Sequence, residues 1–154
     1  MLFSGISLFG EIFILPEKSE YFLDSFRRDL KNSSQILIVS NRIEDDRFFY
    51  SFRKFLNRGG EIFLISPNLD GDIEKLRLYK NIYIYKTEPH RGENFSFSGI
   101  LLDSKILYIF STPIVKSDIF ENGYGIVVKT ENKNDISEFQ KNYIRFLDRG
   151  KKRF

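Results

Sequence analysis

A chain of 154 residues, 42% apolar and 29% charged, is too hydrophobic to stay disordered and long enough to bury a core without crosslinks or metal. It has no cysteine and one histidine, His90, which excludes a disulfide framework, a thiolate zinc site, a thiol nucleophile and any multi-histidine metal site. Its 24 basic and 21 acidic residues leave a charge of +3, short of one dominated by nucleic-acid contacts, although Arg53, Lys54 and Arg58 lie close together and Arg149, Lys151, Lys152 and Arg153 form a basic tail.

No stretch reaches the ~18–20 apolar residues of a membrane span. The apolar start MLFSGISLFGEIFIL lacks a positive leader and is interrupted by Glu11, so residues 9–15 are expected as a buried strand rather than a signal or anchor. A cytoplasmic chain is the expectation, with a periplasmic or membrane-associated one left open. After Pro16, the spacing of Phe22, Phe26 and Leu30 predicts a helix over 17–31. QILIVS (35–40) reads as a strand buried on both faces. Asp45 and Asp46 mark a helix start, Phe48, Phe52, Phe55 and Leu56 give its apolar face, and Gly59 is placed to end it. EIFLIS (61–66) follows as a second buried strand, which makes the pair parallel.

Ile73 and Leu76 suggest a short helix, and NIYIYK (81–86) alternates as a strand. Its Tyr83 and Tyr85 are open to two readings, base stacking or core. Residues 87–94 form a polar loop with His90 and Arg91. Strands are expected over 95–102 and 105–111, joined by a tight Asp103-Ser104 turn. A last strand over 123–129 and a helix over 135–149 complete a single α/β domain spanning 1–154. Its sheet is expected to be mixed and largely parallel, with helices on both faces.

Three pieces carry a resemblance: PEKSEYFLDSFRRDLKNSSQILIVS, FRKFLNRGGEIFLIS and the hairpin FSFSGILLDSKILYIFSTPI. Together, over residues 12–147, the chain resembles a phospholipase D-like domain of the small bacterial nuclease type. The family's signature HxKxxxxD lies on such a hairpin strand. Counting back from Asp103, Ser98 falls on the lysine position and Ser96 on the histidine. Ser111 matches the family's serine eight residues after the aspartate, and Asn122 matches the asparagine of Asn-x-Glu. In that family the histidine attacks phosphorus and the lysine stabilises the phosphate oxygens. Here both are serine, Phe110 replaces the glycine before Ser111, and Tyr124 replaces the glutamate.

The resemblance therefore implies a catalytically inactive binding or assembly module, with no enzyme activity expected. Its vestigial site is Ser96, Ser98, Asp103, Ser111 and Asn122. Ser96, Ser98, Ser111, His90 and Arg91 are the ligand-binding candidates, for a phosphodiester such as nucleic acid. A homodimer is implied, protein partners are open, and no cofactor or metal is expected. Two alternatives stay in view: a residual phosphodiesterase using His90 with Ser96 or Asp103, and a purely structural subunit of a protein assembly. The plain readings also stand. Asp103 is a favoured turn residue, and Ser96 and Ser98 share a parity that would put both on the solvent side of a half-exposed strand.

Overall fold

The computed structural model describes residues 10–148. Residues 1–9, Phe9 among them, and the basic residues of the tail lie outside the described residues. Nine strands run β1 (Gly10–Leu15), β2 (Gln35–Val39), β3 (Ile43–Glu44), β4 (Glu61–Ser66), β5 (Ile82–Lys86), β6 (Ser98–Leu102), β7 (Ile106–Phe110), β8 (Ile114–Val115) and β9 (Gly125–Thr130) among the described residues. The α-helices are α1 (Ser19–Lys31), α2 (Asp46–Asn57), α3 (Asp72–Leu76) and α4 (Lys133–Asp148).

Seven strands form one sheet in the order β1-β9-β7-β6-β2-β4-β5, and β3 pairs with β8 in a separate two-stranded ribbon. The sheet is mixed, as expected, but the parallel part is limited to β2, β4 and β5. The β6–β7, β2–β6, β7–β9 and β1–β9 pairs are antiparallel. The expectation of a largely parallel sheet is corrected by these pairings: once the hairpin returns β7 beside β6, β9 and β1 add to its outer edge in alternating directions. Strand directions then bring the ends of β1, β2, β4, β5 and β7 together with the starts of β6 and β9, at what we call the upper end.

Helix α2 shows why the local signals were strong. The Asp45 carboxylate accepts the amides of Arg47 (3.1 Å) and Phe48 (3.3 Å), capping the helix. At the other end Gly59 adopts a φ of +95°, which a side chain would resist, and its amide closes on Leu56 O. The helices α1 and α2 cover one face of the sheet. Phe22, Phe26, Phe48 and Phe52 pack there against Tyr108 and Phe110, with Phe22 5.3 Å from Phe110 in an edge-to-face contact. On the opposite face α4 seats Ile136, Phe139 and Phe146 beside Val39, Tyr85 and Leu101. Tyr85 therefore belongs to the core, and Tyr83 stacks on Phe63 at 5.1 Å, so the two tyrosines pack within the fold.

Candidate functional site

Polar side chains gather at the upper end because several strands finish, or begin, on a short one. The two central parallel strands end alike. Ser40 Oγ donates to Arg42 O (2.9 Å) and accepts the Arg42 amide (3.3 Å). Ser66 Oγ donates to Asn68 O (2.9 Å) and accepts the Asn68 amide (3.2 Å). Both serines are fully buried. Each closes a side-chain turn that stops its strand and redirects the chain.

Ser98 opens β6 beside this pair. It is fully buried, and its Oγ lies 3.0 Å from Ser40 Oγ. A hydroxyl has one hydrogen, and Ser40 has given its own to Arg42 O, so Ser98 is the donor in this bond. Its hydrogen is thus committed inside the protein. The solvent-side reading of Ser98 is corrected here: it shares the face of Ile100 and Leu102, under α1 and α2, rather than facing water.

Ser96 behaves differently. The strand begins only at Ser98, and residues 96 and 97 form a bend that breaks the alternation on which the shared parity depended. Ser96 is exposed while Phe95 and Phe97 turn to Tyr143 of α4 at 5.9 and 5.8 Å. Asn41 holds this approach from both sides: Nδ2 donates to Phe95 O, and Phe95 N donates to Oδ1 at 3.2 Å.

Ser98 faces Phe110 across the β6–β7 ladder, so Ser96 and Ser111 overhang the same end. Ser111 is exposed and its Oγ accepts the Ile126 amide (2.9 Å), which leaves the hydroxyl hydrogen to donate outward. A side chain at Gly125 would come within 2.8 Å of that Oγ, so glycine keeps the approach open. Asn122 is exposed at the end of a single π-type turn (Ser117–Glu121), just before β9. His90 and Arg91 sit on a 3₁₀ turn (Pro89–Arg91), both exposed, with Arg91 Nε paired to Glu88 at 3.0 Å. His90 makes no hydrogen bond or ion pair among the described residues.

Asp103 does not join them. It stands at the opposite end of β6, about 17 Å of extended strand away. There its Oδ1 accepts the amides of Ser34 and Gln35, each at 3.0 Å, and Asp103 and Ser104 take φ values of +50° and +56°. That is the tight hairpin turn read from the sequence, with the aspartate locking it to the start of β2. The pairing of His90 with Asp103 is thereby corrected: the two occupy opposite ends of the sheet.

Two buried carboxylates lie toward the upper end, and both serve backbone. Asp72 Oδ2 accepts the Asp45 amide at 2.8 Å, while Asp45 caps α2. Burial raises both above the usual carboxylate range, against the lowering effect of those hydrogen bonds. No three His, Cys, Asp or Glu side chains among the described residues form a group able to hold a metal ion. Sequence reasoning passed over Ser40, Asn41 and Ser66; a serine closing each of two apolar strands was the available signal.

Known structures share this arrangement of strands and helices. NucT from Helicobacter pylori aligns with a TM-score of 0.77 at 20% identity, over 94% of this chain and 98% of its own. Nuc from Salmonella typhimurium, a phospholipase D family member, aligns at 0.70 and 12% identity over the same shares. The chain has the phospholipase D-like fold. TrmBL2, an archaeal chromatin protein described as binding DNA in a novel mode, aligns at 0.63 and 10% identity over 95% of this chain and 54% of its own. No family model matches the sequence, and no curated protein matches it. No described helix is long and apolar enough to cross a membrane.

Proposed function

We propose that this phospholipase D-like domain binds phosphodiesters without cleaving them and acts as a homodimeric binding or assembly module. The observation that carries the reading is the sealed Ser98–Ser40 pair at the position where the family places its lysine. A serine becomes a nucleophile only beside a base. Ser98 spends its hydrogen on another hydroxyl, and the buried carboxylates nearby are spent on backbone amides. Nothing in this cluster holds a positive charge against a developing phosphorane.

What the upper end offers instead is binding chemistry. Ser96 and Ser111 present hydroxyls, Ser111 with its hydrogen available, and His90 and Arg91 present nitrogens from the neighbouring loop. Ser98 belongs to the floor that supports them rather than to the ligand contacts. The dimer that the family resemblance implies would have apolar surface to bury: Ile12, Ile14 and Ile126 are 65%, 49% and 41% exposed on one sheet face.

The test is direct. Purified protein is incubated with plasmid, single-stranded DNA, RNA and a chromogenic diester, in chelator, and binding to the same nucleic acids is measured in parallel. Binding without turnover, weakened by Ser96→Ala with Ser111→Ala, is expected. Turnover lost in His90→Ala would replace this reading with a residual phosphodiesterase. A protein that binds none of them points to the purely structural subunit. A monomer by light scattering at micromolar concentration would remove the dimer.

A further inference from the structure

A second basic surface lies away from the upper end. Helices α1 and α2 both descend from the upper end, and their carboxyl-terminal halves enclose a groove of about 400 Å³. Arg27 and Lys31 line it from α1, one turn apart; Tyr50, Lys54 and Arg58 line it from α2 and the residue that follows, at successive turns. Leu30 and Phe55 form its apolar floor. No carboxylate lines the groove, and none of its four cations has an ion-pair partner among the described residues.

The walls are fixed rather than splayed. Arg58 Nη2 donates to Leu30 O (2.6 Å) and Ser33 O (3.0 Å), tying α2 to the end of α1. Arg27 Nε donates to Ser51 Oγ at 3.3 Å, bridging the helices higher up. Tyr50 stands at the upper margin with half its surface, 51%, in solvent. From Tyr50 to Arg58 the helical rise gives about 12 Å, the length of roughly three stacked nucleotides at ~3.4 Å each.

We propose that this α1–α2 groove binds single-stranded nucleic acid, with phosphates on Arg27, Lys31 and Lys54 and a base on the ring of Tyr50. Unpaired bases have a face to stack on an aromatic ring, which a duplex hides, and cations in a concave wall concentrate their field. The cations converge in a cleft rather than on a flat face, which favours a strand over a membrane surface. Lys31 and Lys54 also suit the negative ends of their helices, so the experiment separates stability from binding. The inference does not depend on the upper-end reading.

The measurement is fluorescence anisotropy of the full chain with a labelled oligodeoxythymidine and with a duplex of equal length, across a salt series. The wild type is expected to prefer the single strand. Arg27→Ala with Lys54→Ala should weaken binding at least ten-fold and flatten the slope of log affinity against log salt by about 1.4, two contacts' worth. Tyr50→Ala should weaken it about ten-fold at fixed salt with the slope unchanged, and Tyr50→Phe should restore it. Lys80→Ala, on the loop before β5, serves as the control, and thermal melts confirm that each variant folds. Groove variants that bind like wild type would overturn the proposal. So would loss of binding only in Ser96→Ala with Ser111→Ala, which leaves the upper-end reading standing, or only in a Lys151→Ala, Lys152→Ala, Arg153→Ala tail variant. Arg27- and Lys54-dependent binding of anionic vesicles without oligonucleotide binding would overturn it equally.

Discussion

Two buried polar clusters lie on the same face of the sheet and are built in opposite ways. Under α1, Lys129 Nζ meets Asp29 at 2.8 Å, Tyr108 donates to Asp29 at 2.5 Å, and Ser25 closes the group at 2.8 Å from the Tyr108 hydroxyl. Burial, reinforced by the Asp29 hydrogen bond, pushes the Tyr108 phenol far up, so it stays a donor at every ordinary pH. At the upper end, by contrast, Ser40, Ser66 and Ser98 are buried and neutral. The Lys129–Asp29 pair fastens α1 to β7 and β9. At the position of the family's lysine stands a buried hydroxyl, and the carboxylates nearby serve backbone amides. That contrast is what supports the proposed binding role on this phospholipase D-like fold.

The contrast breaks most visibly if the charged cluster is cut. Lys129→Ala leaves the half-buried Asp29 without its cation and is expected to cost about 3 kcal/mol in urea unfolding, whereas Lys129→Met with Asp29→Asn should recover much of it. An equal loss in the double variant would show that packing, not charge, holds α1. Next in size is Asp103→Ala, which strands two amides and puts an alanine at φ +50°; a loss of about 2–3 kcal/mol is expected, with phosphodiester binding unchanged. Reduced binding in a folded Asp103 variant would return that residue to the site. Ser98→Ala should cost only about 1 kcal/mol, since Ser40 keeps its bonds to Arg42. A binding defect without a stability change would mean Ser98 meets ligand after all.

The smallest effect is a change with pH. Because burial raises Asp45 and Asp72 in the folded chain, it holds their protons to higher pH than the unfolded chain does. Their contribution is present below the ordinary 3.8 and is lost as pH rises through the raised folded values. Asp45→Asn keeps the helix cap at a difference of about 0.5 kcal/mol or less. It should therefore gain on the wild type as unfolding is measured from pH 4 to pH 7; parallel curves would contradict this.

Legibility in the sequence followed locality. The Asp103-Ser104 turn and the stop at Gly59 were readable because the chemistry that fixes them lies within a few residues. The shared parity of Ser96 and Ser98 misled because alternation holds only inside a strand, and the bend at 96–97 lies outside it. The Ser40–Ser98 bond joins residues 58 apart, so its partners emerge only once β2 and β6 are known to be neighbours. The excess of antiparallel pairs was hidden for the same reason: no local pattern says beside which strand β9 returns. Lys54 and Arg58 stood out in the sequence as close together, but their convergence with Arg27 and Lys31 depends on how α1 packs on α2.

The most direct measurement is intact-protein mass spectrometry of the full chain after incubation with a phosphodiester and rapid quenching. The account predicts an unmodified mass and no released product. A phosphoryl adduct on any side chain, accompanied by product, would contradict it.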